Sequence, residues 1–367
     1  MNILEDFSKG ELNNRAFKHV FAKAKKLSSH LNRKITLMEV CGTHTVELSK
    51  SGIRRALSEY LDLRSGPGCP VCVTDQRDID AMISISQNRD VIITTFGDML
   101  RVPGTQTTLE VERSCGANIV VCYSPMDALK VAIKNKNSKV VLLGIGFETT
   151  IPLIALSIKH AKIKGINNFS IYPAVKQLPP ALEKLLSSKI LAIDGLIMPG
   201  HVSTILGENM LKCFLEKYSI PSVITGFEPL DLLRGIDLLL SQIENGVSKV
   251  ENAYKRAVSE CGNKKAKALI LEVFQSQDAY WRGLGKIAQS GLKPNEDYNR
   301  FDARYYFKFP ISEFREIDGC RCGDVIIGRV LPIECELFGN ICTPKHPIGP
   351  CMVSSEGACA AYYLYSN

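Results

Sequence analysis

Thirteen cysteines stand among the 367 residues, and their spacing bounds the chemistry. Cys41, Cys69 and Cys72 lie early. Cys115, Cys122, Cys213 and Cys261 are scattered, and six more crowd the tail: Cys320, Cys322, Cys335, Cys342, Cys351 and Cys359. An odd count cannot pair off within the chain, and reduced thiols at this density point to metal or redox chemistry. One tail foursome, Cys320, Cys335, Cys342 and Cys359, has 14, 6 and 16 intervening residues. Four thiolates are what a [4Fe–4S] cubane takes. A four-cysteine zinc site is the rival, since both accept four sulfurs. Zinc sites favour short C-x-x-C-type pairs, which the tail lacks, so the spacing favours the cluster. Cys322 and Cys351 are then non-ligands with room to lie close to each other.

Cys69-Pro-Val-Cys72 is a CxxC, the pattern of a redox dithiol or of half a zinc site. The flanking Gly66-Pro67-Gly68 and the upstream Cys41 favour the redox reading. Cys41 opens Cys-Gly-Thr-His-Thr at 41–45. A thiol at a helix N-terminus has a lowered pKa, and His44 is placed to assist it. Thiolate and imidazole both suit iron. The competing reading is a packing cysteine with Thr43 or Thr45 as an ordinary N-cap. Glu148 and Glu228 each follow Gly-Phe. They read as general bases or gate residues, or else as carboxylates beside a helix dipole. His201, in Pro-Gly-His-Val-Ser, is a donor to a ligand or a satisfied loop histidine. Gly144-x-Gly146 lacks the third glycine of a dinucleotide fingerprint, and no Walker A sequence occurs. Trp281, Tyr362 and Tyr363 read as core or rim.

These residues need elements to position them. Strand-like runs at Ile35–Val40, Val91–Thr95, Ile119–Cys122, Val140–Leu143, Gly195–Met198 and Val223–Thr225 alternate with helical stretches. Continuous β-branched runs separated by helices predict parallel sheets covered on both faces. The polar signatures follow such runs, at the ends where ligands bind in open α/β sheets. The expected fold is α/β: two Rossmann-like parallel-sheet lobes and a helical, irregular C-terminal iron–sulfur domain. The polar stretch 134–138 is the expected boundary between lobes over 1–135 and 136–235, followed by a third region over 236–367. Leu230–Leu240, Gln242–Glu260 and Lys264–Phe274 carry apolar residues at helical spacing. The remainder, rich in Cys, Pro and Gly, needs a staple, and a metal cluster is one.

Hydrophobic residues make up 45% of the chain, enough for real cores. Its longest apolar runs are too short to span a bilayer. Met1–Glu11 lacks a basic segment followed by an apolar one, so no signal peptide is expected, and the expected location is cytoplasmic. A net charge of +7, spread thinly, disfavours nucleic-acid binding.

Five motifs together resemble the HypD family of [NiFe]-hydrogenase maturation proteins. They are Cys-Gly-Thr-His-Thr at 41–45, Gly-Pro-Gly-Cys-Pro-Val-Cys at 66–72, Gly-Phe-Glu-Thr-Thr-Ile-Pro at 146–152, Pro-Gly-His-Val-Ser at 199–203, and Cys-Met-Val-Ser-Ser-Glu-Gly-Ala-Cys-Ala-Ala-Tyr-Tyr at 351–363. The resemblance implies a scaffold that, with a HypC-like chaperone, holds iron(II) while it acquires two cyanides and one carbon monoxide. A HypE-like protein donates the cyanide, and a hydrogenase large subunit receives the product. By this likeness Cys41 is the iron ligand, Cys69 and Cys72 are the redox dithiol, and the tail foursome binds [4Fe–4S]. The alternatives are a free-standing iron–sulfur thiol-disulfide oxidoreductase, which would not need Cys41, and a zinc-stabilised binding module.

Overall fold

A computed structural model describes residues 11–188, 192–307 and 318–365. The N-terminal stretch at 1–10 lies outside the described residues. Two all-parallel sheets carry the architecture. The first orders its strands β2 (Leu61–Ser65), β1 (Ile35–Glu39), β7 (Gly195–Pro199), β8 (Ser222–Thr225) and β9 (Val250–Asn252). The second orders β4 (Asn118–Val121), β3 (Val91–Thr95), β5 (Lys139–Gly144) and β6 (Phe169–Pro173). Helices connect the strands, which are buried along most of their length, as parallel sheets covered on both faces require. The α/β expectation therefore holds. No described helix is long and apolar enough to cross a membrane.

The order of assembly differs from the expected split at 135/136. The chain lays down β1 and β2, builds the whole four-stranded sheet, and returns to place β7 beside β1. The polar stretch 134–138 thus falls inside the second sheet, between β4 and β5. A side chain explains why it does not behave as a linker. Asn168 donates from Nδ2 to the carbonyls of Ala132, Asn135 and Ser138 at 2.9–3.0 Å, which pins the loop to the lobe.

The helix expected at Gln242–Glu260 is a second difference. Pro229–Glu244 is helical, but Gly246 adopts φ 62°, the left-handed turn that ends helices, and β9 follows. A third is the antiparallel hairpin β10 (Phe274–Trp281) and β11 (Gly285–Pro294). The expected helix Lys264–Phe274 is present as Lys264–Val273, and the hairpin takes over directly after it, where the helical pattern reads on to about 280.

The largest apolar cluster joins the lobes instead of filling one of them. It runs from Met38 and Val40 through Cys69–Val73 to Val141 and Leu143, then to Trp281, Val325–Ile327 and Met352. The tail is packed into this seam. Trp281 is fully buried, stacks on Phe147 and donates to Ser290 Oγ at 2.9 Å, the core role expected of it. Tyr362 is also buried, with its hydroxyl 3.1 Å from Arg54 Nη1.

Candidate functional site

Cys41 stands where β1 gives way to the helix Gly42–Lys50. It is the N-cap residue, with extended φ −155°, and its carbonyl accepts the Thr45 N–H at 3.1 Å. The thiol caps no N–H. Its pKa moves opposite to the expectation: burial pushes it up to about 11, helped by the charge of Glu356. Desolvation disfavours the thiolate more than the helix N-terminus favours it. Such a thiol ionises when a metal ion takes the proton's place.

Cys69 and Cys72 are joined by a disulfide. Cys69 caps the short helix Pro70–Val73, its Sγ accepting the Cys72 N–H at 3.1 Å. The disulfide loop abuts Cys41 through backbone. The Gly68 carbonyl accepts the Gly42 N–H at 3.2 Å, and a Cβ on Gly68 would collide with the Cys41 backbone. A glycine is therefore required there.

His44 is fully buried behind Cys41. Its Nε2 lies 2.9 Å from the Gly226 carbonyl and 3.1 Å from Thr225 Oγ1, while its buried Nδ1 has no partner. Burial drives its pKa down to about 4, so the ring is neutral at pH 7. Phe227 stacks on His201 and packs at a tilt against His44, with centroids 3.8 and 4.8 Å away. The ends of β1, β7 and β8 thereby bring the two histidines together. His201 remains exposed on one side, and partial burial lowers its pKa.

The loop Ser354–Gly357 closes this crevice from the tail. Glu356 Oε1 accepts from Thr43 Oγ1 at 2.7 Å. Asp98 Oδ2, at the end of the second sheet's β3, accepts from Ser354 Oγ, Ser355 N and Ser355 Oγ at 3.0–3.2 Å. One loop thus ties together strand ends from both sheets. Residue type alone does not single out Asp98 or Glu356; their place in Thr94-Thr-Phe-Gly-Asp98, at the end of the run Val91–Thr95, and in Ser354-Ser-Glu-Gly-Ala-Cys359 is the signal the sequence carries.

Six tail cysteines line a single cavity: Cys320, Cys322, Cys335, Cys342, Cys351 and Cys359. Thiol hydrogen bonds run from Cys320 to Cys322, to Cys351, to Cys359. Cys322 and Cys351, the two left outside the foursome, are therefore direct neighbours. A hydrogen bond from Cys322 pulls the Cys320 thiol down to about 7, and the charge of Arg282 acts in the same direction. Hydrogen bonds from Cys322 and Cys359 take Cys351 well below the usual range. Cys342 Sγ accepts the Ile348 N–H at 3.4 Å, and a Cβ on Gly349 would sit 2.7 Å from Cys320 Sγ. Cys351 also lines a small cavity shared with Cys69, Cys72 and Glu356. No described trio of His, Cys, Asp or Glu forms the shell of one ion. A cubane spreads its ligands around a four-iron core, so a wider thiol set fits it.

The two glutamates part company. Glu148 is buried, with Oε1 accepting the Leu178 N–H at 2.8 Å and Oε2 without a partner. Burial pushes its pKa up to about 7. It faces the start of the helix Leu178–Ser187, the neighbourhood expected of a dipole-side carboxylate. Glu228 is exposed and precedes the helix Pro229–Glu244 without capping it through its side chain.

Comparison with known proteins decides the family. The HypD profile, described as hydrogenase formation hypA family, matches residues 15–366. The chain belongs to the HypD family. It is 41% identical over 366 residues to hydrogenase maturation factor HypD of Escherichia coli K12, covering 100% of this chain and 98% of that protein. It is 42% identical over 355 residues to a putative hydrogenase expression/formation protein of Methanocaldococcus jannaschii, covering 96% and 98%. The HypD of Cupriavidus necator is 39% identical over 375 residues, covering 100% and 98%. Membership of this family places the chain in hydrogenase maturation.

Proposed function

We propose that the chain is the scaffold on which a hydrogenase iron receives its cyanide and carbonyl ligands. The observation that carries this reading is the position of Cys351, which lines both the six-thiol cavity and the cavity against the Cys69–Cys72 disulfide. Cys41 adjoins that disulfide through Gly42 and Gly68. On this reading the iron-binding, electron-storing and electron-delivering thiols form one contiguous line.

Cys41 holds the iron substrate, because a thiolate suits soft iron(II) carrying π-acceptor ligands. His44, neutral and with a buried, unpartnered Nδ1, and His201 lie beside the same crevice. Cys320, Cys335, Cys342 and Cys359 hold a [4Fe–4S] cluster, which supplies electrons one at a time when bound. Opening the Cys69–Cys72 disulfide takes two electrons and two protons and yields two thiols. The exposed mouth of the crevice, at His201, faces a HypC-like chaperone and a HypE-like cyanide donor. The finished group leaves for a hydrogenase large subunit.

Cys41→Ser tests this reading. The nearly isosteric variant should fold and keep its cluster absorbance. It should lose the cyanide and carbonyl infrared bands of the complex with the chaperone and leave the hydrogenase immature. Retention of those bands would remove Cys41 as the ligand. Intact hydrogenase maturation without Cys41 would favour the plain thiol-disulfide reductase.

A further inference from the structure

Among the described residues two arginines are buried, and they are treated differently. Arg54 pairs with the carboxylate of Glu39. Arg282, 9% exposed, has no carboxylate within ion-pair distance among the described residues. One Nη2 donates to the neutral amide oxygen of Gln76 at 3.1 Å, and the buried Nε has no partner. A buried cation without an anion is costly, so a counter-charge belongs nearby.

The backbone shows what surrounds Arg282. Arg282 sits at the turn of the β10–β11 hairpin. Its N–H donates to the Val73 carbonyl at 2.9 Å, at the end of the helix that carries Cys72. The next residue, Gly283, has φ 79° and packs on Gly323, which follows Cys322. The hairpin turn is wedged between the disulfide helix and the segment that carries Cys322 and lines the tail cavity.

We propose that Arg282 is the fixed counter-charge of the tail thiolates and raises the potential at which the group they hold accepts an electron. This rests on the cluster reading above. Four thiolates around a [4Fe–4S] core give a net negative charge, and one-electron reduction adds another. A buried guanidinium stabilises the reduced form more than the oxidised form, and the low-dielectric seam does not screen it. Arg282 is a positioning residue, acting through charge and touching no substrate.

Dye-mediated titration of the full chain with dithionite, read by the electron paramagnetic resonance of the reduced cluster, tests this. Iron and sulfide content of the unmodified protein comes first; zinc without sulfide would sink the cluster reading itself. With the cluster present, Arg282→Gln should make reduction at least tenfold less favourable, about 59 mV for a one-electron couple. Arg282→Lys should stay near the unmodified value. A fully loaded Arg282→Gln protein with an unchanged midpoint overturns the proposal. So does an Arg282→Lys protein that falls as far as Arg282→Gln, since packing would then be responsible. If Arg282→Gln cannot hold the cluster, Gln76→Glu decides. It neutralises the guanidinium in place and should lower the midpoint in the same direction; no change overturns the proposal.

Discussion

Cys41 is held by a strand on one side and a helix on the other, whereas Cys335 and Cys342 hang on turns. Cys41 follows β1, the neighbour of β2 and β7 in the five-stranded sheet, and its carbonyl begins a helix. Cys335 closes a single 3-10 turn, and its thiol has only a long 3.9 Å approach to the Gly319 carbonyl. Cys342 hangs beside an isolated bridge with Phe338. The crevice is supported by sheet hydrogen bonds before any ligand arrives. The tail cavity draws its order from the seam beneath it and from whatever its thiols hold.

That contrast is open to attack, and the largest effect belongs to the tail. Cys342→Ala should take iron and sulfide from about four each to below one per chain, because a cubane needs four thiolates. Limited proteolysis should then cut within 318–360 while both parallel sheets stay protected. Equal protection of the tail would mean that it needs no staple.

The next effect tests what fastens tail to crevice. Arg54 bonds Glu39 of β1, the Leu63 carbonyl and Tyr362 of the last helix. Arg54→Ala leaves a buried carboxylate unpaired and should cost about 3–5 kcal/mol in denaturant unfolding. A loss below about 1 kcal/mol, the range of exposed pairs, would show that the pair is not needed for docking.

Glu148 gives a pH-dependent effect. Its folded pKa of about 7 lies above its ordinary value of 4.5, so the native state binds the extra proton between them. Stability therefore falls as pH rises from about 4.5 to 7 and stays lower above. Glu148→Gln should flatten that slope. It should stabilise the protein at pH 8 by up to about 3 kcal/mol, at 1.36 kcal/mol per pKa unit. Parallel stability–pH curves for the two proteins would refute this.

The smallest effects on stability belong to the crevice thiols. Removing the Cys69–Cys72 bond with Cys69→Ser should cost about 2 kcal/mol, because its loop is short. In the unmodified protein, differential alkylation and mass mapping should show both thiols blocked when oxidised and both labelled after mild reduction. Cys41→Ser should change stability by about 1 kcal/mol or less, as a near-isosteric swap does. A large loss there would mean that Cys41 packs the core.

Much of this was legible in residue order. Strands such as Val91–Thr95 and Val140–Leu143 announce themselves because burial on both faces demands unbroken apolar runs. Edge strand β2, Leu-Asp-Leu-Arg-Ser, alternates and lacks that signal. So does β10, whose Gln275 and Ser276 face solvent between a buried Phe274 and a buried Trp281. Gln242–Glu260 kept helical spacing past Gly246, and local spacing cannot register that Val250 pairs with Ser222. In the crevice the cysteines and histidines were readable by type. Asp98, Glu356 and Arg282 were not, because their roles come from partners more than 100 residues away, such as Ser354, Thr43 and Gln76.

The return of the chain to its first sheet also sets a timetable for synthesis. The second sheet is contiguous, from Val91 to Pro173, and can fold as it leaves the ribosome. β1 ends at Glu39 but waits for β7, which begins at Gly195. At about 5–20 residues per second that delay is on the order of ten seconds. The last tail cysteine, Cys359, emerges later still. Cys41 therefore gains the cover of the Ser354–Gly357 loop only after that loop has emerged, long after Cys41 itself.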